Sequence, residues 1–197
     1  MYQPKLFGQV ERLVLDRRRF FTGASQATLS AGAIALLTGC GSLARDAEAK
    51  SDTMADDAAI LNTALGAERE AVAAYQVGAE SGLLSSGVLQ VAVKFQDHHK
   101  QHADLLAKTI KQLGSTPDDA PASYDFPVSQ LKSEADVLRF AAGLEKGAVS
   151  AYLGAVPLFG NRDLSKAAAS ILGDEAMHWA VLRGALGEDP VPVAFVS

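Results

Sequence analysis

The 197 residues are enough for one domain with a full hydrophobic core, alone or together with an export segment. Residues 1–39 carry a net charge of +3 and the rest of the chain carries −8, which argues against non-specific nucleic-acid binding because such binding needs clustered basic charge. Cys40 is the single cysteine of the chain, which excludes an internal disulfide.

The N-terminus has a basic cluster followed by a mildly apolar run. Arg17 and Arg18 precede residues 20–37, which are rich in Ala, Gly, Ser and Thr and lead into Leu37-Thr38-Gly39-Cys40. Basic residues, a short apolar region and small residues at its end are typical of a secretory signal. The paired arginines make residues 1–39 resemble a twin-arginine signal. The alternative, a membrane helix, is disfavoured by the glycines and polar residues that interrupt the run.

The four residues that end at Cys40 resemble a bacterial lipobox, whose cysteine becomes the lipidated first residue of the mature protein. We therefore predict export by the twin-arginine machinery and a lipid anchor at Cys40 on the periplasmic side of a bacterial membrane. Residues 40–54 are small and polar, which predicts a flexible tether. The folded body is expected at 55–187.

Four helices are predicted from apolar residues that recur every three or four positions. They cover 55–81, 88–113, about 133 to 157, and 164–185. Thr53 is expected to cap the first helix, Gly114 to end the second, and Pro157 to kink or end the third. A long polar connection with three prolines, 115–132, separates the second helix from the third.

Residues 188–197 are predicted to be an extended tail because Pro190 and Pro192 interrupt regular structure. Three of its apolar residues are expected to pack on the helices. They are Val191, Val193 and Phe195.

Each predicted helix has carboxylates or imidazoles on its apolar stripe. They are Glu68 in the first helix, His99 and His102 in the second, Glu145 in the third, and Glu175 and His178 in the fourth. Burying an unpaired carboxylate costs several kcal/mol or more. A cation between the helices is the simplest explanation, so these six residues are the candidate metal ligands.

The spacing of these residues repeats between the two halves of the body. Glu68 precedes Tyr75 by 7 residues, and Glu145 precedes Tyr152 by 7. Glu68 and His102 are 34 residues apart, and Glu145 and His178 are 33 apart. Two helical hairpins with matching polar positions indicate a duplicated architecture.

This pattern resembles the ferritin-like superfamily, in which a di-metal carboxylate site lies inside a four-helix bundle. The resemblance implies an all-α fold of two helical hairpins joined by one long crossover. It also implies Glu68 and Glu145 as terminal ligands, Glu175 as a bridging ligand, and His102 and His178 as the paired histidines.

His99 departs from the family pattern, because the family has a bridging glutamate at this position. The site then has three carboxylates, and an imidazole cannot bridge two ions as a carboxylate does. Three interpretations stay open: an asymmetric two-metal site, a single tightly held metal, or a bundle that has lost metal binding. Asp97 does not replace the missing glutamate, because two residues is about 200° around a helix.

Imidazole and carboxylate ligands suit Fe, Mn, Zn or Cu, and the family resemblance favours two divalent ions of iron or manganese. Four further residues are expected to contact the ligands without binding metal. They are Asp174, Tyr75, Tyr152 and His98. Asp174 is placed to hydrogen-bond a ligand histidine and fix its tautomer.

Two functions follow from this pattern. The first is an exported oxidase or peroxide-consuming enzyme, whose partners are metal ions with O₂ or peroxide. The second is a non-catalytic envelope module that binds metal for storage or structure, or serves in stress. A lipid anchor suits a membrane-bound monomer or homodimer better than a closed storage shell. The sequence has no nucleophile elbow, phosphate-binding loop or zinc-protease motif.

Overall fold

The computed structural model describes residues 41–196, with side chains described from residue 50 onward. The predicted signal, including Arg17, Arg18 and Cys40, lies outside the described residues. The described part contains four α-helices and no strand, as predicted. They are α1, Gly41–Glu80; α2, Ser86–Gln112; α3, Glu134–Ala155; and α4, Arg162–Ala185.

The helices form two hairpins, α1 with α2 and α3 with α4, and α1 also packs on α3. The crossover between the hairpins contains one short 3₁₀ helix, Val128–Gln130. Its first part is held against α1: Asn62 donates to the Thr116 carbonyl at 3.1 Å and accepts from the Asp118 amide at 2.8 Å. The long loop is therefore fixed by polar contacts on the first helix.

The helix ends follow from local chemistry. Gly82, Gly114 and Gly187 have φ between 70° and 81°, a conformation that favours glycine and ends a helix. Ser133 and Asn161 accept hydrogen bonds from backbone amides of the first turns of α3 and α4. The prediction for Gly114 is confirmed.

The third helix ends as predicted from its proline. α3 stops at Ala155 and continues as a 3₁₀ turn, Val156–Leu158, which contains Pro157. Proline lacks an amide donor and clashes with the preceding helical turn, so the α-helix cannot continue unchanged.

The flexible tether predicted for 40–54 is wrong over the part that the structure describes, because α1 already begins at Gly41. Thr53 therefore lies inside the helix and does not cap it. The segment has no proline, and no glycine between residues 42 and 65, and it is rich in Ala, Leu, Glu, Lys and Arg. These residues favour helix over coil.

The C-terminal residues after α4 form no helix or strand in the described part, but the predicted packing of their apolar side chains is wrong. Val191, Val193 and Phe195 are 73%, 54% and 87% exposed. No helix among the described residues is both long and apolar enough to cross a membrane.

Two apolar clusters fill the interior of the bundle. One is formed by Leu61, Leu65, Leu106, Ile110, Tyr152, Phe159, Ala168 and Ile171. The other is formed by Tyr75, Ala92, Phe95, Leu138, Ala141, Ala142 and Leu182. Buried carboxylates and imidazoles lie on the same helix faces, between the two apolar clusters. The apolar packing therefore holds a polar layer inside the protein.

Asp57 is a buried acid that the sequence pattern did not single out. It is 1% exposed, and its two carboxylate oxygens accept from the amides of Gly160 at 2.8 Å and Asn161 at 3.1 Å. It thereby ties α1 to the turn between α3 and α4.

Candidate metal centre

The structure brings all six predicted ligands together in the polar layer. Five of them have side chains at most 3% exposed, and the sixth, His102, is 14% exposed. The chain has four histidines in all, and the other one, His98, lies beside them. This concentration of imidazoles and carboxylates inside an apolar bundle defines the candidate site.

The six residues form two overlapping groups of four. One group is Glu68, His99, His102 and Glu175, and the other is His99, Glu145, Glu175 and His178. Within each group the potential ligand atoms all lie within 4.8 Å of one another. Glu175 and His99 belong to both groups, so they occupy the middle of the site.

Two buried tyrosines donate hydrogen bonds to Glu68 and Glu145, and each bond runs from one hairpin to the other. Tyr152 on α3 donates to Glu68 on α1 at 2.6 Å, and Tyr75 on α1 donates to Glu145 on α3. The predicted tyrosine–carboxylate contacts are present, but each tyrosine contacts the glutamate of the opposite hairpin. Burial, followed by the neighbouring carboxylates, raises the pKa of both phenols, so they act as donors at neutral pH.

His99 lies between the carboxylates of Glu68 and Glu145. Its Nδ1 is 2.9 Å from Glu68 and its Nε2 is 3.3 Å from Glu145. Burial lowers the pKa of this ring, but the hydrogen bonds to the two carboxylates outweigh burial and raise the pKa of His99 to about 10. In the metal-free protein His99 is therefore an imidazolium.

The other two inner histidines behave in the same way. Burial lowers their pKa values, whereas Glu175 and Glu68 raise the pKa of His102 to about 9, and Glu145 and Glu175 raise the pKa of His178 to about 9. Conversely, burial raises the pKa values of Glu68 and Glu145, but the neighbouring histidine rings lower both below their ordinary range.

Several buried atoms of the site have no hydrogen-bond partner among the described residues. They are Nδ1 of His102 and His178, Oε2 of Glu145, and both carboxylate oxygens of Glu175. Buried polar atoms are usually satisfied, and these are nitrogen and oxygen donors suited to divalent transition metals. The residues present therefore fit a metal centre.

The predicted neighbours of the ligands are also in place. Asp174 Oδ2 lies 3.3 Å from His178 Nε2 and 3.5 Å from His102 Nε2, and it also lies 3.0 Å from His98 Nδ1. Phe95, a buried residue of α2, stacks on His178 with ring centroids 3.9 Å apart. Its position four residues before His99 places it on the same face of α2, but its partner on α4 could not be predicted from the spacing.

A groove of about 630 Å³ between α1 and α3 reaches the site. Three site residues, Glu68, His99 and Glu145, form part of its wall. Most of the remaining wall is alanine and glycine from the two helices. Small side chains here leave space beside the ligands.

Residues 56–188 match the family model of the ferritin-like domain. The chain belongs to this family. The predicted superfamily and fold are therefore confirmed. No curated protein matches the chain.

Solved structures share this ferritin-like fold. A conserved hypothetical protein from Mycobacterium tuberculosis is 25% identical with a TM-score of 0.62, over 67% of this chain and 98% of its own. The Desulfovibrio desulfuricans bacterioferritin, which has a diiron site, is 18% identical with a TM-score of 0.62, over 70% and 81%. A ferritin-like diiron-carboxylate protein from Bacillus anthracis str. Ames is 24% identical with a TM-score of 0.56, over 68% and 97%.

Proposed function

We propose that this ferritin-like protein binds two divalent metal ions, iron or manganese, and uses them to oxidise Fe(II) or consume peroxide at the bacterial cell envelope. The observation that carries the proposal is the pair of four-residue groups that share Glu175 and His99. Each group has a carboxylate and a histidine of its own, so each can hold one ion. The diiron site of the Desulfovibrio desulfuricans bacterioferritin and the diiron-carboxylate protein from Bacillus anthracis, which share this fold, support this assignment.

The ligand roles follow from position. Glu68 with His102 would hold one ion, and Glu145 with His178 the other, while Glu175 is close to both sets. A bound pair of redox-active ions would supply electrons to O₂ or peroxide. The tyrosines keep the carboxylates of Glu68 and Glu145 oriented, because each donates to one oxygen and leaves the second oxygen for other contacts.

The charge balance supports two ions despite the missing fourth glutamate. The carboxylates of Glu68, Glu145 and Glu175 offset only part of the charge of two divalent ions. Asp174 adds a carboxylate within 3.5 Å of His102 and His178, where it can accept their outer N–H groups when the inner nitrogens bind metal. A negative charge in this position also favours cations in the site.

The groove between α1 and α3 offers a route for a small oxidant. It borders Glu145, whose Oε2 has no hydrogen-bond partner among the described residues. Its largely apolar wall suits O₂, which carries no charge, and its volume also admits peroxide.

The proposed location depends on the N-terminal sequence alone. Arg17 and Arg18 would direct twin-arginine export, and lipidated Cys40 would hold the protein at the periplasmic side of the membrane. Twin-arginine systems export folded proteins, which suits a protein whose metal is inserted in the cytoplasm. Self-association at the membrane would give a homodimer.

A second function is supported by His99. With an imidazole in the place of a bridging carboxylate, the site could bind metal for storage or structure without turnover. The two functions differ in one outcome: both predict bound metal, and only the first predicts oxidation of Fe(II) or loss of peroxide.

The test is metal analysis of the full chain, produced in a twin-arginine-exporting bacterium, followed by Fe(II) and peroxide turnover assays. We expect about two ions per chain and measurable turnover. The Glu68→Gln variant should lose at least one ion, whereas the matched control Glu70→Gln, an exposed glutamate on the same helix, should keep both. Metal-replete but inactive protein would exclude the enzyme and leave the binding module; a wild-type chain without metal would exclude both.

A further inference from the structure

A second cluster of potential ligands lies at the outer edge of the site. It consists of His98, Asp174 and the outer nitrogen of His178. His98 Nδ1 is 2.9 Å from His178 Nε2 and 3.0 Å from Asp174 Oδ2, and the third side of this triangle is 3.3 Å. The side chains of His98 and Asp174 are 29% and 22% exposed, whereas the inner carboxylates are buried.

The triangle has the dimensions of one face of a metal site. Zinc-type bonds of about 2.0–2.1 Å in tetrahedral geometry place neighbouring ligand atoms roughly 3.3 Å apart. The three edges of the triangle, 2.9, 3.0 and 3.3 Å, need only a small expansion to match. Because two of the three side chains are partly exposed, solvent water can complete the coordination.

His178 connects this cluster with the metal centre of six residues described above, which we call the inner site. Its Nδ1 lies 3.4 Å from Glu145 and 3.7 Å from Glu175, and its Nε2 faces Asp174. A neutral imidazole has one lone-pair nitrogen at a time. The ring can therefore serve an ion on the outer side or an ion on the inner side, but not both as a neutral ligand.

We propose that His98, Asp174 and His178 form an outer binding site for a divalent transition-metal ion, which acquires the ion from solvent and passes it to the inner site. His178 changes its coordinating nitrogen from Nε2 to Nδ1 during the transfer, and its one ring proton moves to the nitrogen that the ion leaves. No electron is transferred in this step. The transfer role rests on the two-ion site proposed above, whereas the outer site itself does not.

The first experiment isolates the outer site with Co(II) as the probe. In the full chain carrying Glu145→Gln and Glu175→Gln, we expect one Co(II) with the strong visible absorption of a tetrahedral complex. Adding His98→Ala should weaken this binding at least about tenfold, since one of three ligands is lost. Adding Asp97→Asn, at the exposed neighbour of His98, should leave it unchanged. Equal affinity with and without His98 would overturn the outer site.

The second experiment needs no change in the inner ligands and so remains informative if the double variant fails to fold. Stopped-flow uptake of Co(II) by the metal-free wild-type chain is compared with uptake by the His98→Ala variant. We expect the same final stoichiometry and slower filling of the inner site in the variant. Equal rates would overturn the transfer role. If the two-ion proposal alone is wrong, the wild-type chain takes up one Co(II), and His98→Ala weakens that binding at least about tenfold, as in the first experiment.

Discussion

His99 sits at the centre of the site with a carboxylate on either side, at 2.9 Å from Glu68 and 3.3 Å from Glu145. In the metal-free protein its positive charge compensates those two buried groups, consistent with a pKa of about 10. A divalent ion must displace this charge before it can bind between the same carboxylates. One residue therefore stabilises the metal-free state and weakens the metal-bound state.

The His99→Glu variant should separate these two effects. It replaces a cation with a fourth carboxylate, so the metal-free protein should be less stable, and Mn(II) should raise its melting temperature by more than it raises that of the wild type. Differential scanning calorimetry with and without Mn(II) measures both. The His99→Gln control, which removes the cation and adds no charge, should bind Mn(II) more weakly than His99→Glu. A metal-free His99→Glu protein as stable as the wild type would contradict this account.

At the scale of single residues, the sequence predicts correctly those features that depend on one helix alone. Periodicity placed Glu68 and Tyr75 on one face of α1, and both face the interior. It could not show that Tyr75 donates to Glu145, because that contact depends on the relative height of two helices. The contacts of Asp174 on α4 with His98 and His102 on α2 have the same origin, whereas its contact with His178 lies within α4 and was predicted.

At the scale of elements, the turn between α3 and α4 depends on a side chain from a distant helix. Asp57 accepts two hydrogen bonds from the amides of that turn. The donors, Gly160 and Asn161, follow it in the chain by 103 and 104 positions. Periodicity could not identify this role, because an acidic residue near the predicted helix start is expected to be exposed. The wrong start of α1 has a different source, since the small and polar residues 40–54 were interpreted as a tether.

The Asp57→Ala variant should be less stable by about 2–3 kcal/mol, because hydrogen bonds to a charged group are lost and the turn amides lose their acceptors. Urea denaturation followed by circular dichroism measures the change in the free energy of unfolding. Asp56→Ala is the matched control, since this neighbouring acid is exposed, and it should change stability by less than about 0.5 kcal/mol. Equal effects of the two substitutions would show that Asp57 does not hold the turn.

At the scale of the whole molecule, protonation of the residues in the inner site changes the free energy of unfolding. The pKa values of His99, His102 and His178 are raised to between about 9 and 10. Groups with raised pKa values stabilise the fold fully below their unfolded value of about 6.5, and this stabilisation is lost as the pH rises through the folded value. The lowered pKa values of Glu68 and Glu145 stabilise the fold above about pH 4.5 and cease to do so in acid.

The metal-free protein should therefore have its highest free energy of unfolding between about pH 5 and 7 and become less stable toward both pH 3 and pH 10. Denaturation in the presence of a chelator, at a series of pH values, measures this profile. Saturating Mn(II) should remove the alkaline decline, because the bound ions then compensate the carboxylates in place of the imidazolium charges. A metal-free profile that is flat from pH 7 to pH 10 would contradict the charge pairing.

The exchanged tyrosines have a consequence for the history of the fold. A solitary hairpin of either kind would contain a phenol lacking its acceptor and an acid lacking its donor, because both bonds run from one half of the bundle to the other. Two copies of one such hairpin, related by a twofold axis, would complete both bonds at once. The present chain is thus organised as a self-associating half-length ancestor would be after its gene had doubled and fused.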